Sequence, residues 1–404
     1  MTPSPALKRV TRGGLCSGCG ACAAVVPGVI SMKLAEPGYL RPVQSGPVSR
    51  EQDRQIAAIC PGLGIRLEPA GRHDHPLWGP FVSLRRGHAT DPELRHRASS
   101  GGALSAILVH LLETGAVGGV VQTAAAPDLP IGNTTVLSTT ARDVSAAAGS
   151  RYAPSAPLEG LQRHLDGNRR MAFVGKPCDV AALRGMERTD PRVSRCFPVM
   201  VSFFCAGIPS LSGARRILDA LGVAERDVAA FRYRGHGWPG QATAALHDGG
   251  SRQMSYAESW GGILSKHVQF RCRICPDGTG GLADIVCADA WETDGRGYPL
   301  FEERDGLSLL IGRTGRGEDI IRDAMAAGRI AAAPFPAAGI RDIQPGQRDR
   351  KRFALPRILA LRLMARPAPE FRGFHLVRNA LSAGLWPLVR NFLGTCRRIV
   401  AGKI

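Results

Sequence analysis

No apolar run in this 404-residue chain reaches the length of a membrane span. The longest, around Ala103–Val121, is broken by His110, Glu113 and paired glycines. The start, Met1–Arg12, has no apolar segment of the kind a secretory leader carries, so a cytoplasmic chain is expected. Aromatic residues make up only 6% and no nucleic-acid-binding motif is recognisable, so no nucleic-acid partner is expected. Lysine is scarce, at 8, 33, 176, 266, 351 and 403 alone, so the basic side chains are mostly arginine. Internal repeats are absent. An apolar fraction of 44% with 21% charged residues excludes a disordered chain, a collagen or a coiled coil.

What is abundant is thiol and positive charge: eleven cysteines and a net charge of +18. A secreted disulfide scaffold is shorter and denser in cysteine, so in a chain of this size the thiols point to metal. The charge is uneven. From Arg350 onward, twelve Lys or Arg face the single acid Glu370, a net +11 of the +18. This segment mixes arginine with Leu, Ile, Phe and Trp386. It reads as Pro-broken basic helices, either packed on the body or lying on an anionic membrane surface. The arginines fall on no single helical face, which favours packing.

"LCSGCGACAAVVPG" places Cys16, Cys19 and Cys22 in a C-x2-C-x2-C run, three quarters of the bacterial ferredoxin pattern. Three thiolates so spaced wrap one face of a cubane, with Gly18 and Gly20 permitting the tight backbone. Val26 stands where the fourth cysteine would, and Cys60 in "ICPG" is the expected replacement. A structural zinc site on the same thiols is the alternative, but zinc sites usually pair C-x2-C twice.

Other cysteines follow or lie in short apolar runs: "MAFVGKPCD" leads to Cys178, "PVMVSFFCAGIPS" to Cys205, and "ADIVCADAWE" holds Cys287 and Asp289, while "FRCRICPD" supplies Cys272 and Cys275. Apolar runs bounded by Gly and Pro read as buried, parallel-type strands. They alternate with helical segments at Ala103–Glu113, Leu211–Leu221 and Gly317–Ala327, which predicts an α/β body. In open α/β sheets the ligand crevice lies beyond the carboxyl ends of the strands, so Cys178, Cys205 and Asp289 are expected to converge there, with Cys272 and Cys275 completing four ligands. Cys196 and Cys396 read as small buried apolar residues, and Cys287 as either that or a reserve ligand.

In "RHRASSGGALSAILVHLLETG", Ser99, Ser100, Gly101 and Gly102 precede an apolar helix. Hydroxyls and glycines at a helix N-terminus expose unpaired N–H groups and suit a phosphate, with Arg97 adding charge. Ordinary capping by serine is the alternative. The loop carries neither the dinucleotide fingerprint nor the Walker pattern.

Together "CSGCGAC", "ASSGGALSAIL", "GSRYAPS", "GKPCDVAALR", "FFCAGIPS", "YRGHGWPG", "FRCRICPDGTGGLADI" and "ADAWE" resemble, in order, the coenzyme F420 hydrogenase/dehydrogenase beta-subunit family, over roughly residues 12 to 315. That family includes deazaflavin-reducing subunits and ferredoxin-dependent pigment reductases. The resemblance implies FAD held by Ser99, Ser100, Gly101 and Gly102, with Ser150, Arg151, Tyr152 and Lys176 lining the flavin site. It also implies a 4Fe-4S cluster on Cys178, Cys205, Cys272 and Cys275. Val26, Arg151 and Lys176 depart from the family's pattern, and the basic tail lies outside the resemblance.

The expected architecture is a ferredoxin-like 4Fe-4S domain over residues 1–70 and a mixed α/β body over 71–340 that binds FAD and the second cluster. The body divides at about 80–160 and 165–335, and a basic helical tail follows over 341–404. The expected activity is electron relay between a ferredoxin-like donor and FAD to reduce or oxidise an organic substrate, with Asp289, Asp284 and His236 as candidate proton donors. The alternatives are a coenzyme F420 oxidoreductase and a non-catalytic electron-transfer subunit. Peripheral contact of the tail with the inner face of the membrane accompanies the second reading of its charge.

Overall fold

The structure is a computed structural model and describes residues 4–294, 300 and 302–402. Its centre is an eight-stranded sheet. In chain order the strands are β1 (Ser83–Ala89), β2 (Gly119–Ala126), β3 (Leu129–Ser138), β4 (Met171–Val174), β5 (Val199–Phe203), β6 (Ile285–Asp289), β7 (Ser308–Gly312) and β8 (Ile330–Pro334). Across the sheet they run β8-β1-β7-β6-β5-β4-β2-β3. The middle four, β6, β5, β4 and β2, are mutually parallel, and the strands outside them pair antiparallel.

The three apolar runs that read as parallel strands are therefore the parallel centre. Their lack of alternation has a simple cause, since helices cover both faces. Ala172, Val174, Val201 and Ile285 pack under helices α1 (Ala103–Glu113) and α4 (Gly315–Ala326). Phe173, Met200 and Val286 face the other way, against Val180 and Leu183 of α2 (Pro177–Glu187). Of the remaining helices, α3 (Leu211–Leu221) has the bounds its sequence predicts, and it ends at Gly222 with φ +68°, a left-handed stop that glycine adopts without strain.

The N-terminal segment folds around its own core of Leu7, Val10, Leu15, Ile30 and Ile56. It contains the short helix Ala21–Val25, an antiparallel hairpin (Ile30–Ala35 with Tyr39–Gln44) and the helix Arg50–Ile59. The C-terminal region consists of α5 (Pro345–Leu363), α6 (Leu376–Leu381) and α7 (Leu385–Val400). It is sewn to the start of the chain: Glu370–Arg372 adds a parallel strand to Gly64–Arg66, and Leu361 of α5 is fully buried in the N-terminal core. That strand has no sequence signature, because a three-residue pairing between positions 306 apart leaves no periodicity to read.

Candidate functional site: two thiol groups beside a cavity

Parallel pairing puts the carboxyl ends of β4, β5 and β6 on one edge of the sheet. Gly175 and Lys176 leave β4 there, and Pro177 at the first turn of α2 starts the helix that carries Cys178. Cys205 follows β5, its N–H held by the carbonyl of Gly278 at 2.8 Å. Cys272 lies in the short helical turn Phe270–Arg273 and Cys275 two residues beyond it, their N–H groups donating to the carbonyls of Gln269 and Cys272. Cys178, Cys205 and Cys272 are close enough to other thiols of the group for those charges to disfavour their ionisation. Burial pushes Cys205 up to about 12, with the Cys272 and Cys275 charges adding to it, and Cys178 is raised by burial, Asp179, Cys205 and Cys272.

Cys16, Cys19, Cys22 and Cys60 form a second group in the same sense. Burial and the Cys60 charge push Cys19 up to about 12, while burial and Cys16 push Cys60 up to about 11. Gly18 and Gly20 carry φ of +83° and +85°, the left-handed conformation the turn requires. A Cβ on Gly20 would lie 2.6 Å from the Glu159 nitrogen. Cys60 ends the helix Arg50–Ile59, which is how a residue 38 positions beyond Cys22 reaches the group. Among the described residues no three His, Cys, Asp or Glu side chains converge on a point that would hold one metal ion.

Arg271 lies between the groups and is 1% exposed. Its guanidinium acts on Cys275, Cys178 and Cys272 on one side and on Cys16 and Cys60 on the other. Nη2 donates to the carbonyl of Pro61 at 2.6 Å, and Nε has no hydrogen-bond partner. Gln269 bridges the same gap, donating to the Ser17 carbonyl (3.4 Å) and reaching the Cys272 sulfur (3.5 Å). Neither residue stands out in the sequence.

Above the strand ends lies a cavity of about 280 Å³. Ser99, Ser100, Gly102, Ser150, Tyr152, Lys176, Cys205 and Asp289 all line it. Ser100 Oγ bonds the carbonyl of Leu307 (3.1 Å), and Ser99 Oγ meets Ser150 Oγ at 2.6 Å. Gly101 has no room for a side chain: a Cβ would lie 2.8 Å from the Ser308 nitrogen. Gly102, at φ +74°, is the N-cap of α1, so the helix presents its free N–H end to the cavity. Lys176 Nζ donates to Ser155 Oγ (2.6 Å) and pairs with Asp179 Oδ2 (2.7 Å). Burial works against its charge, but Asp179 and the Cys178 sulfur more than offset it and raise the pKa.

Several expected roles fall out differently. Arg151 borders the cavity, but its guanidinium donates to Asn133 Oδ1 and to the carbonyls of Pro130, Gly132 and Phe231, so it clamps the wall and presents no free cation. Asp289 reaches the cavity but is held by both oxygens. Arg234 donates to Oδ1 and Oδ2 at 2.8 Å each, and Trp238 Nε1 donates to Oδ1 at 3.0 Å. Arg234 is itself 1% exposed and lies 4.7 Å from the ring centre of Tyr256 and 4.8 Å from that of Trp291. This Arg234–Asp289 network went unassigned in the sequence, although Arg234 sits in "YRGHGWPG".

Asp284 stands at the entry of β6, five residues and roughly 16 Å from Asp289 along an extended strand. It pairs with Arg184 at 2.8 Å and accepts from the N–H of Met200 and the hydroxyl of Thr314, all away from the cavity. His236 lies in a loop against His96 and does not line the cavity either. Cys287 borders the cavity but lies in the strand, its thiol pushed up to about 12 by burial alone, with no other thiol acting on it.

A family model described as the C terminus of the beta subunit of coenzyme F420 hydrogenase/dehydrogenase matches residues 168–338, and the corresponding N-terminal model matches 85–162. The coenzyme F420 hydrogenase subunit beta of Methanococcus voltae is 26% identical over 286 residues, 67% of this chain and 88% of that protein. The protein of the same description from Methanothermobacter thermautotrophicus is 24% identical over 308 residues, 72% of this chain and 99% of that protein. One chain in the structure of the F420-reducing nickel–iron hydrogenase complex of Methanosarcina barkeri shares the fold. Its TM-score is 0.54 at 23% identity, covering 69% of this chain and 91% of that one. The two family models together span well over half the sequence and take in the sheet, the cavity and the strand-end cysteines, so the chain belongs to the coenzyme F420 hydrogenase/dehydrogenase beta-subunit family.

Proposed function

We propose that the chain is an iron–sulfur flavoprotein that exchanges electrons between two 4Fe-4S clusters and FAD. One cluster would be held by Cys16, Cys19, Cys22 and Cys60, the other by Cys178, Cys205, Cys272 and Cys275. The observation that carries this is the gathering of eight thiols into two adjacent groups, one at the rim of the cavity. The C-x2-C-x2-C spacing of Cys16, Cys19 and Cys22 suits a multi-iron cluster better than the paired C-x2-C of zinc sites. Arg271 fits the same reading, because a buried guanidinium with an unpartnered Nε is balanced by thiolate-bound clusters on either side. When bound, the clusters supply one-electron steps and the flavin couples them to two-electron chemistry.

The chain's own residues set the geometry. Gly101 and Gly102 bring the α1 N–H groups to the cavity, which suits a flavin pyrophosphate or ring carbonyl, and Lys176 adds a fixed positive charge. Tyr152, Tyr256 and Trp291 give the cavity apolar walls that exclude water. Both Asp289 oxygens are taken up by Arg234 and Trp238, so a proton for the substrate comes through solvent or through the Lys176–Ser155 pair rather than from Asp289.

The relatives are named for coenzyme F420, and the acceptor proposed here is accordingly a deazaflavin of that kind, with an electron-transfer protein as partner. That reading has more support than a ferredoxin-fed reductase of another substrate. The test is anaerobic reduction of the purified chain with an artificial donor, followed by addition of coenzyme F420. Bleaching of its visible band supports the proposal. Flavin reduction without bleaching leaves an iron–sulfur flavoprotein with a different acceptor.

A further inference from the structure

Residues 339–404 lie beyond both family models, and two features there extend past the electron-transfer site, the first of them bordering it at Cys272. The first is a groove of about 710 Å³ between α5 and α7, lined by Arg273, Arg350, Arg357, Arg390 and Arg398. The one carboxylate lining it, Asp349, is paired with Arg348 at 2.8 Å. Arg357, Arg350 and Arg398 are held by neutral acceptors. Arg357 donates to Asn391 Oδ1 (2.8 Å) and the Arg273 carbonyl (2.5 Å), and Arg350 to the carbonyls of Cys205 and Ala206. Arg398 donates to the Thr395 hydroxyl at 3.3 Å. Burial, then repulsion from Arg398, Arg350 and Arg273, draws Arg357 down to about 10, so the groove holds more positive charge than its own residues balance.

The second feature is apolar. Of twelve large apolar side chains exposed among the described residues, eight lie on α5, α6 and α7. Trp386, Leu393 and Val400 recur every seven residues and so form one outward row along α7, while Leu359 and Leu363 form a pair one turn apart on α5. Exposed apolar rows flanked by arginine are unfavourable in water and favourable at the boundary of an anionic bilayer. No helix among the described residues is long and apolar enough to cross a membrane, so the contact would be with its surface.

We propose that α5–α7 dock on an anionic membrane, the arginine groove taking a lipid phosphate headgroup while the Trp386–Leu393–Val400 row enters the acyl boundary. Arg350 lines the groove and also bonds the Cys205 carbonyl, so docking holds the strand-end thiols beside the lipid surface.

The test is sedimentation of the full chain, with its iron retained, on vesicles of phosphatidylcholine alone and on vesicles containing a third phosphatidylglycerol. Binding is expected only to the anionic vesicles, falling steeply with salt. It is expected to weaken at least about tenfold both in Arg390→Gln/Arg398→Gln and in Trp386→Ser/Leu393→Ser. These side chains are exposed or at the groove rim, and unchanged iron content confirms that the variants fold. No binding to anionic vesicles, equal binding to neutral ones, or binding undiminished in the arginine pair would each overturn the proposal. Inorganic pyrophosphate bound by the chain and lost in the arginine pair, without vesicle binding, would assign the groove to a soluble phosphorylated ligand and overturn it as well.

Discussion

The two thiol groups are built in opposite ways. Cys16, Cys19 and Cys22 come from one seven-residue loop, and only Cys60 is brought in from a helix end. Cys178, Cys205, Cys272 and Cys275 span almost a hundred residues and meet because two segments leave the same edge of a parallel sheet and the turn at Phe270–Arg273 packs against the second of them. The first group is a property of local backbone, set by two glycines with positive φ. The second is a property of topology, and it exists only if the sheet does. Damage to the sheet edge should therefore erase the second group and spare the first, and damage to the loop should do the reverse.

The largest effect expected is from single ligands. Cys178→Ser should remove about four irons per chain and reduce electron delivery to the flavin to background, while Cys16→Ser removes the other four. Iron analysis with dye-driven flavin reduction reads both. Equal iron loss from both groups in either variant would show that they are one unit, breaking the comparison.

Next comes the link between them. Arg271→Gln removes a buried cation that both groups feel, and should destabilise the folded, cluster-bound chain by about 3–5 kcal/mol, read from chemical unfolding under anaerobic conditions. An unchanged midpoint would mean that the two groups are held apart by packing alone.

Gly101→Ala should cost about 1–3 kcal/mol and weaken flavin retention, because its Cβ would press on Ser308, yet leave the iron content intact. Flavin-to-iron ratio is the measurement. Loss of iron in this variant would tie the cavity to the clusters more tightly than the contacts predict.

The smallest effect lies outside both groups. His75 is pushed down to about 4 by partial burial, then by His73 and nearby cations, and its Nδ1 accepts from the N–H groups of Leu77 and Trp78. Between about pH 6.5 and 4 the unfolded chain binds a proton there that the folded chain refuses, so stability should fall as pH drops through that window. His75→Gln should flatten that part of the melting-temperature profile, without the iron loss that acid attack on the thiolates would bring.

How far the sequence reaches follows from the same contrast. The loop group is legible because a C-x2-C-x2-C spacing is a one-dimensional property that the sequence displays directly. The strand-end residues are legible because buried parallel strands are unbroken apolar runs and ligand sites follow their carboxyl ends. Asp284 and Asp289 show the limit of that rule: both border the same run, but only the residue at its carboxyl end reaches the cavity. Arg151 shows another limit, since a guanidinium near a site is as easily taken up by wall carbonyls as presented to a ligand. Arg271, Gln269 and Arg234 are invisible in one dimension because the contacts that give them a role, with Pro61, Ser17 and Asp289, lie 210, 252 and 55 positions away.

The most direct test of the central claim is iron and acid-labile sulfide per chain after anaerobic isolation. Two cubane groups predict about eight of each, with about four remaining in Cys178→Ser. A chain that carries one zinc per thiol group and no sulfide would contradict the account.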